Sequence, residues 1–359
     1  MCKRHPLSCI IPPYLNLKLA NNDKFEKKLL AAHVGSFTLD AQIRARRKAF
    51  TRLNPQGKAI MALAALKKPS KKVAVSREVY TANNKQVQPG TLVRKEGQAA
   101  GKDKDVNNVF DAAGFTWDFY YSLFQRNSID NKGLKLVQTV HYGKKYDNAF
   151  WDGQQMIYGD GDGKIFDSFT SDVDIVGHEL THGVVQYETN LVYQDQSGAL
   201  NESLADIFGS MIKQRVLNQD AKSADWLIGE NVLRGKQYSL RSLKAPGTAY
   251  KNHPDLGTDP QPAHMRGYTN DPFDNGGVHL NSGITSHAFY LACVEAGGYS
   301  WEKVGKVWYA AMCDKKGVPP TASFLDFKNA TIGHSEKLFK GEKTVTEAIK
   351  KAWDSVGVE

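Results

Sequence analysis

The 359-residue chain is short of several features that would settle its class at once. Its 4 cysteines are too few for a disulfide-built scaffold. No run of about 18 apolar residues occurs, so no membrane-spanning helix is expected. Glycine and proline together reach about 12%, near average usage, which excludes collagen-like and bulk-disordered chains. Acidic residues are scarce in one place: residues 1–71 hold 15 Lys/Arg against 3 Asp/Glu, while 72–359 hold 32 against 35. The sequence is thus a basic arm joined to a slightly acidic body. A nucleic-acid reader carries its surplus Lys/Arg on a folded surface, and the body has none. No nucleic-acid or membrane partner is expected, and the arm is read as docking on its own body, partly by charge.

Lys3 and Arg4 could open an export signal, but Pro12, Pro13, Asn16 and Lys18 break the apolar stretch that follows. No small-x-small cleavage site follows cleanly, so no classical signal peptide is expected. The compartment is left open between non-classical secretion and the cytoplasm.

Along the arm, Phe25, Leu29 and Ala32 or His33 recur on one face and predict a helix over 24–34. A second helix is expected after Thr38, read as its N-cap, running towards Phe50 with Arg44, Arg46, Arg47 and Lys48 on its other side. A short apolar run at 59–66 leads into a Lys/Pro/Ser linker at 67–72, the kind of exposed segment that proteases cut. Strands are expected at 76–80, 91–95, 134–142, 149–158 and 164–169, around one helix at 105–124. Beyond 171 the pattern turns helical: 172–188, 198–217, 279–296, 301–312 and 344–353, with a Gly/Pro-rich loop region over 235–277. A strand-rich part followed by a helical part is an α+β arrangement. The division expected is an arm at 1–71, a strand-rich lobe at 72–188 and a helical lobe at 189–359.

The chemistry concentrates in His178-Glu179-Leu180-Thr181-His182. Histidines at i and i+4 share one helix face and can reach a single metal. Glu179 stands where it can take a proton from water held there. Ile175, Val176, Leu180 and Val184 make this a buried helix, and ionisable groups in a buried helix need a partner. Glu202, twenty residues after His182, offers a third ligand, and Asp206 lies one turn further on the same face. Two histidines and a glutamate, with the fourth position left open, form a catalytic zinc set.

These residues resemble a known family. Tyr-Asp-Asn-Ala-Phe-Trp (146–151), Tyr-Gly-Asp-Gly-Asp-Gly (158–163), the 178–182 pentapeptide, Gly-Ala-Leu-Asn-Glu-Ser-Leu-Ala-Asp-Ile-Phe-Gly (198–209), Leu-Arg-Ser (240–242) and Asp-Asn-Gly-Gly-Val-His-Leu-Asn-Ser-Gly-Ile (274–284) together resemble the thermolysin-type zinc metallopeptidases over nearly all of 76–359. Ile-Pro-Pro-Tyr-Leu (11–15) is similar to the short propeptide motif of the protealysin-like branch. The resemblance implies a two-lobed α+β fold with the zinc helix between the lobes, a small helical propeptide docking on its own cleft, and a latent endopeptidase acting on peptides or proteins.

It further implies one zinc on His178, His182 and Glu202, with Glu179 as general base and Asp206 behind the first histidine. His279, oriented by Asp274, and Tyr193 would stabilise the oxyanion. Asn148 and the backbone of Ala149 would hold the substrate chain, and Arg241 its primed-side carbonyl. Phe166, Phe169, Ile175 and Leu240 would line an apolar S1′ pocket, for cleavage before bulky apolar residues. The larger thermolysins' double calcium site maps onto Asp174, Lys213, Asp225, Leu227 and Glu230. Two of these five lack a carboxylate and one is a cation, so no double calcium site is expected. Asp160-Gly161-Asp162-Gly163 is read as a tight turn.

Cys293 and Cys313 are read as buried thiols, with a bridge between them left open. For Cys9, a thiolate on the metal is an alternative to simple docking of the arm across the cleft. Two other readings of the whole chain stay open: a narrow-specificity intracellular protease that keeps its arm, and an inactive peptide-binding module.

Overall fold

The computed structural model describes residues 8–22, 25–53, 73–235 and 237–359. A strand-rich lobe and a helical lobe share one apolar core, giving a two-lobed α+β fold. In chain order the strands are β1 (Ser8–Cys9), β2 (Arg77–Thr81), β3 (Thr91–Lys95), β4 (Leu136–Val140), β5 (Ala149–Trp151), β6 (Met156–Tyr158), β7 (Leu227–Ile228) and β8 (Arg241–Ser242). The helices are α1 (Pro13–Ala20), α2 (Lys27–Leu53), α3 (Lys104–Phe124), α4 (Val173–Tyr187), α5 (Asp195–Val216), α6 (Val278–Ala296), α7 (Val304–Cys313), α8 (Phe324–Leu338) and α9 (Lys343–Ser355). None is long and apolar enough to cross a membrane.

The first six strands form one sheet in the order β1-β5-β6-β4-β2-β3. The arm therefore supplies an edge strand to the body's sheet. β1 pairs antiparallel with β5, Ser8 opposite Trp151 and Cys9 opposite Phe150. The backbone groups of β5, which would otherwise face solvent, find partners in this way.

Helices α4 and α5 are buried on every side from Asp174 to Val185 and from Ser197 to Gln214. That burial calls for small residues where the two backbones cross. Gly177 and Gly209 provide them: a methyl group on Gly209 would stand 2.5 Å from the Asp174 carbonyl oxygen. This close crossing brings the histidines of α4 within reach of the acids of α5. By contrast α9 is one-faced, burying Val345, Ala348, Ile349, Ala352 and Trp353 at helical spacing.

Several expectations are corrected. Residues 27–53 form a single helix, not two with Thr38 as a cap. Continuity comes from tertiary contact, since His33, Ser36 and Asp40 lie on one face and are buried against the body. Residues 149–158 form a hairpin, because Asp152 Oδ1 accepts the N–H groups of Gln154 and Gln155 and turns the chain. Residues 164–169 are no strand. Asp162 Oδ1 accepts the N–H groups of Lys164, Ile165 and Phe166 at 2.9–3.0 Å, which curls the segment. Helices α1 and α8 were not anticipated, although Pro13 at a first helical position and the Ser323/Asp326 capping box mark their starts. The expected apolar run at 59–66, the linker at 67–72 and the side chains of Arg44, Arg46, Arg47 and Lys48 lie outside the described residues.

Candidate metal centre and cleft

His178 and His182 stand one turn apart on α4, their Nε2 atoms 3.0 Å from each other. Glu202 of α5 lies 3.6 Å from His178 Nε2 and 3.4 Å from His182 Nε2. All three are buried, with their ligand atoms within 4.8 Å of one another. The far nitrogens are also occupied: His178 Nδ1 pairs with Asp206 Oδ1 and His182 Nδ1 with Asn201 Oδ1, each at 2.8 Å. Holding Nδ1 in this way fixes each ring with Nε2 facing the centre, the pattern metal-binding histidines require. Asn201 escaped the sequence reading. Its only signal was its place beside Glu202, in the part of the helix from Ser197 to Gln214 that is buried throughout.

The donor set fits zinc. Burial pushes the His182 imidazole pKa down to about 3, so it is a neutral ligand at pH 7. Glu202, despite the burial that opposes ionisation, is held below the usual carboxylate range by His279 and the two zinc-facing histidines. Its Oε2 and Glu179 Oε1 are buried with no hydrogen-bond partner among the described residues, which a cation and a water would supply. Glu179 is fixed at its other oxygen by the Trp151 N–H at 3.0 Å. Burial, and then the charge of Glu202, raise its pKa well above the ordinary value.

Across the cleft, His279 sits at the start of α6. Asp274 Oδ1 takes its Nδ1 at 2.5 Å, and Asp274 Oδ2 accepts its backbone N–H at 2.9 Å. Burial opposes the imidazolium, but Glu202 and Asp274 raise the His279 pKa well above normal. Tyr193 Oη donates to Glu202 and lies 3.1 Å from His279 Nε2. Arg241 joins the two sides: Nε and Nη2 hold Asp206 at 2.7 and 2.8 Å, while Nη1 reaches into the cleft. Phe166 and Phe169 pack with ring centroids 5.8 Å apart, and Ile175 and Leu240 converge over Gly229. All four side chains are buried.

Residues of the arm run through this cleft. The Cys9 carbonyl accepts from His279 Nε2 at 2.9 Å. Ile10 N–H donates to the Ala149 carbonyl at 3.2 Å, and Arg241 Nη1 donates to the Ile10 carbonyl at 2.9 Å. Ile11 donates to Asn148 Oδ1 at 3.0 Å and accepts from Asn148 Nδ2 at 3.4 Å. The Ile10 side chain borders a small cavity with Leu240. Cys9 turns its thiol away, donating to the Ile11 carbonyl and packing with Leu39, Tyr146 and Phe150. It is not among the ligand atoms gathered at the metal centre. Cys293 and Cys313 are free thiols.

The second acidic locality holds a lysine. Lys213 Nζ stands 2.9 Å from Asp225, 3.5 Å from Glu230 and 3.6 Å from Asp174, and donates to the Leu227 carbonyl at 3.3 Å.

A buried His-Glu-x-x-His helix with a glutamate from the next helix, between a strand-rich and a helical lobe, defines a zinc-dependent endopeptidase. The family models described as thermolysin metallopeptidase, catalytic domain, and thermolysin metallopeptidase, alpha-helical domain, match residues 58–186 and 189–358. An extracellular metalloprotease of Pectobacterium carotovorum subsp. carotovorum is 46% identical over 99% of this chain and 98% of its own length. Protease PrtS of a Photorhabdus species is 47% identical over 79% of this chain and 76% of its own. The solved precursor of protealysin, a metalloproteinase from Serratia proteamaculans, superposes with a TM-score of 0.85 at 44% identity, over 98% of this chain and all of that one. The chain belongs to the thermolysin metallopeptidase family, and its similarity to the protealysin precursor supports the protealysin-like branch.

Proposed function

We propose that this endopeptidase is made as a latent precursor, with residues 1–71 as a propeptide, and that it cuts on the N-terminal side of bulky apolar residues. The observation that carries this reading is the hydrogen-bonded course of Cys9, Ile10 and Ile11 past His279, Ala149, Arg241 and Asn148. Those are the groups expected to hold a substrate. In that register the Cys9–Ile10 amide takes the place of the bond to be cut, and Ile10 that of the apolar residue after it. The arm then excludes substrate by occupying its path. The division into 72–188 and 189–359 follows the two lobes, with the cleft between them.

Zinc, held by His178, His182 and Glu202, would polarise the scissile carbonyl and make water acidic near neutral pH. Glu179, with one oxygen fixed by the Trp151 N–H and the other turned free, takes the proton of the attacking water and returns it to the leaving amine. His279 and Tyr193 donate to the oxygen on which charge develops, where losing one such donor typically costs about 3–4 kcal/mol. Asp274 keeps the His279 ring aimed. Asn148, Ala149 and Arg241 fix the substrate backbone, and Phe166, Phe169, Ile175 and Leu240 select the apolar side chain. At the locality where larger relatives would place two calcium ions, Lys213 does the neutralising itself. The name of the Pectobacterium relative supports an enzyme that works outside the cell.

Intact-mass measurement of the full-length chain over a day, with and without a zinc chelator, tests the reading. Loss of about 70 residues only without chelator, absent in Glu179→Gln, is expected from metal-dependent self-processing. Hydrolysis of an apolar quenched peptide should rise as the arm is lost. Full peptidase activity with the arm still attached would overturn latency.

A further inference from the structure

Away from the catalytic centre, one buried place brings a histidine of the arm against two carboxylates of the body. His33 of α2, Asp147 before β5 and Asp162 after β6 are 1%, 0% and 3% exposed. His33 Nδ1 lies 3.0 Å from Asp147 Oδ2, and Nε2 lies 3.6 Å from Asp162 Oδ2. The second distance is too long for a hydrogen bond. Among the described residues, three polar atoms here, one from each residue, have no hydrogen-bond partner: His33 Nε2, Asp147 Oδ1 and Asp162 Oδ2. Leaving even one such atom bare is costly, and the facing pair, His33 Nε2 and Asp162 Oδ2, calls for a shared partner, with Asp147 holding the ring from its other nitrogen.

The surroundings narrow what that partner is. Asp162 Oδ1 is taken by three backbone N–H groups, so the carboxylate is fixed with Oδ2 facing His33. Ser36 Oγ accepts the Asp147 N–H. The nearby Lys145 ammonium donates to the Asp162 carbonyl oxygen at 3.2 Å and leaves Asp162 Oδ2 without a hydrogen bond. Phe25 packs on the imidazole, with ring centroids 5.2 Å apart. The two carboxylates with a neutral imidazole carry a charge of −2, and protonating the ring would still leave His33 Nε2 and Asp162 Oδ2 3.6 Å apart, beyond hydrogen-bond reach. A divalent cation brings the group to zero. One ligand atom from each residue lies within 4.8 Å of the others. Two ligands of one tetrahedral zinc ion stand roughly 3.3 Å apart, close to the Nε2–Oδ2 separation. The imidazole and the small number of oxygens favour a zinc-class ion over calcium, which wants six to eight oxygens.

We propose that His33, Asp147 and Asp162 form a second divalent-metal site, of the zinc class, that clamps the arm to the strand-rich lobe. The clamp needs only the docked arm. Its bearing on activation rests on the latent-precursor reading, because an ion shared between arm and body would slow release of the arm after the linker is cut.

The test uses the full-length chain carrying Glu179→Gln, which keeps the arm attached. It is loaded with Zn2+, desalted, and its metal content read by native mass spectrometry. Two zinc ions per chain are expected, falling to one in His33→Gln and in Asp162→Asn, which approach the site from opposite sides. After tryptic nicking within 67–72, the arm should stay bound through size exclusion with His33 and come away with His33→Gln. One zinc per chain in the parent, or two that both variants retain, overturns the clamp even if a variant folds poorly. A parent with two zinc ions, whose Glu179-containing counterpart is fully active before arm loss, would keep the clamp and sink the latency reading.

Discussion

Helix α5 carries two answers to the same electrostatic problem, some three turns apart. Around Glu202, buried acid and imidazole groups converge with Glu202 Oε2 and Glu179 Oε1 left bare. Around Lys213, buried Asp174 and the partly exposed Asp225 and Glu230 converge on an ammonium that the chain itself supplies. Burial opposes the lysine's charge, but Asp174 and Asp225 outweigh it and hold its pKa above normal. The first locality must stay open to chemistry, so its cation is acquired. The second only has to be neutral, and a tethered cation makes it independent of ion supply. Lys213→Met should break the contrast most severely. It leaves Asp174 as an unpaired buried acid, for which a loss of about 3–5 kcal/mol is typical. Urea unfolding of the zinc-loaded chain would read it, and a loss under about 1 kcal/mol would show that the lysine is not the neutralising group.

A smaller effect is expected one step behind the metal. Asp206 is held below the usual carboxylate range, against its burial, by Arg241 and His178. Asp206→Asn preserves shape and removes charge, and zinc affinity should fall about 10–100-fold. Competition with a coloured chelator measures this. The matching change near the lysine, Asp225→Asn, should leave zinc affinity untouched, because Asp225 bonds to Lys213 and the Leu227 N–H and not to the metal ligands or their partners among the described residues. If both changes weakened zinc equally, the two localities would be one coupled network.

The metal ligands were legible because their spacing is itself the chemistry: i and i+4 on one helix, then an acid on the next. Asn201 was not, since a neutral amide has no signature until the helix crossing aims it at His182. The arm shows the limit more sharply. The sequence offers His33 only as a candidate for the face shared with Phe25 and Leu29, and assigns Ser36 and Asp40 no role. In the structure Asp40 accepts from Tyr146 and from Asn148 Nδ2 at 2.9 Å, and also from Asn16 at 2.8 Å. A polar face buried by a partner 100 residues away leaves no local periodicity to detect. The same contacts carry α2 across Gly35 and Thr38, where local propensity suggested a break. Helix 105–124 was found closely because its own apolar spacing and the Asp103 cap suffice, and strand 91–95 because the turn residues before it mark its start. The 149–158 hairpin was missed because both of its strands are buried on both faces and read as one run.

The smallest of these expected effects comes from a third device, a cation that titrates. His141 bridges Asp160, 2.8 Å from Nδ1, and Asp103, 3.0 Å from Nε2. The hydrogen bond to Asp160 leads, desolvation opposes it and Asp103 adds to it, so the imidazole pKa is raised to about 9. A histidine that is easier to protonate when folded stabilises the fold fully below about pH 6.5, and that contribution is lost as pH rises through about 9. His141→Asn suits the left-handed backbone here, with φ +53. Because the site is partly solvated, it should cost only about 1–2 kcal/mol at pH 6 and nearly nothing by pH 10. Lys213→Met should instead cost more as pH rises, because burial already raises the Asp174 pKa to about 7 and loss of the ammonium raises it further, so the folded chain holds a proton that the unfolded chain has released. Urea unfolding of both variants at pH 6, 8 and 10 separates the cases. A His141→Asn loss that stays level to pH 10 would mean the ring acts through packing or neutral hydrogen bonds, leaving the acquired and the tethered cation as the only two charge devices of the three.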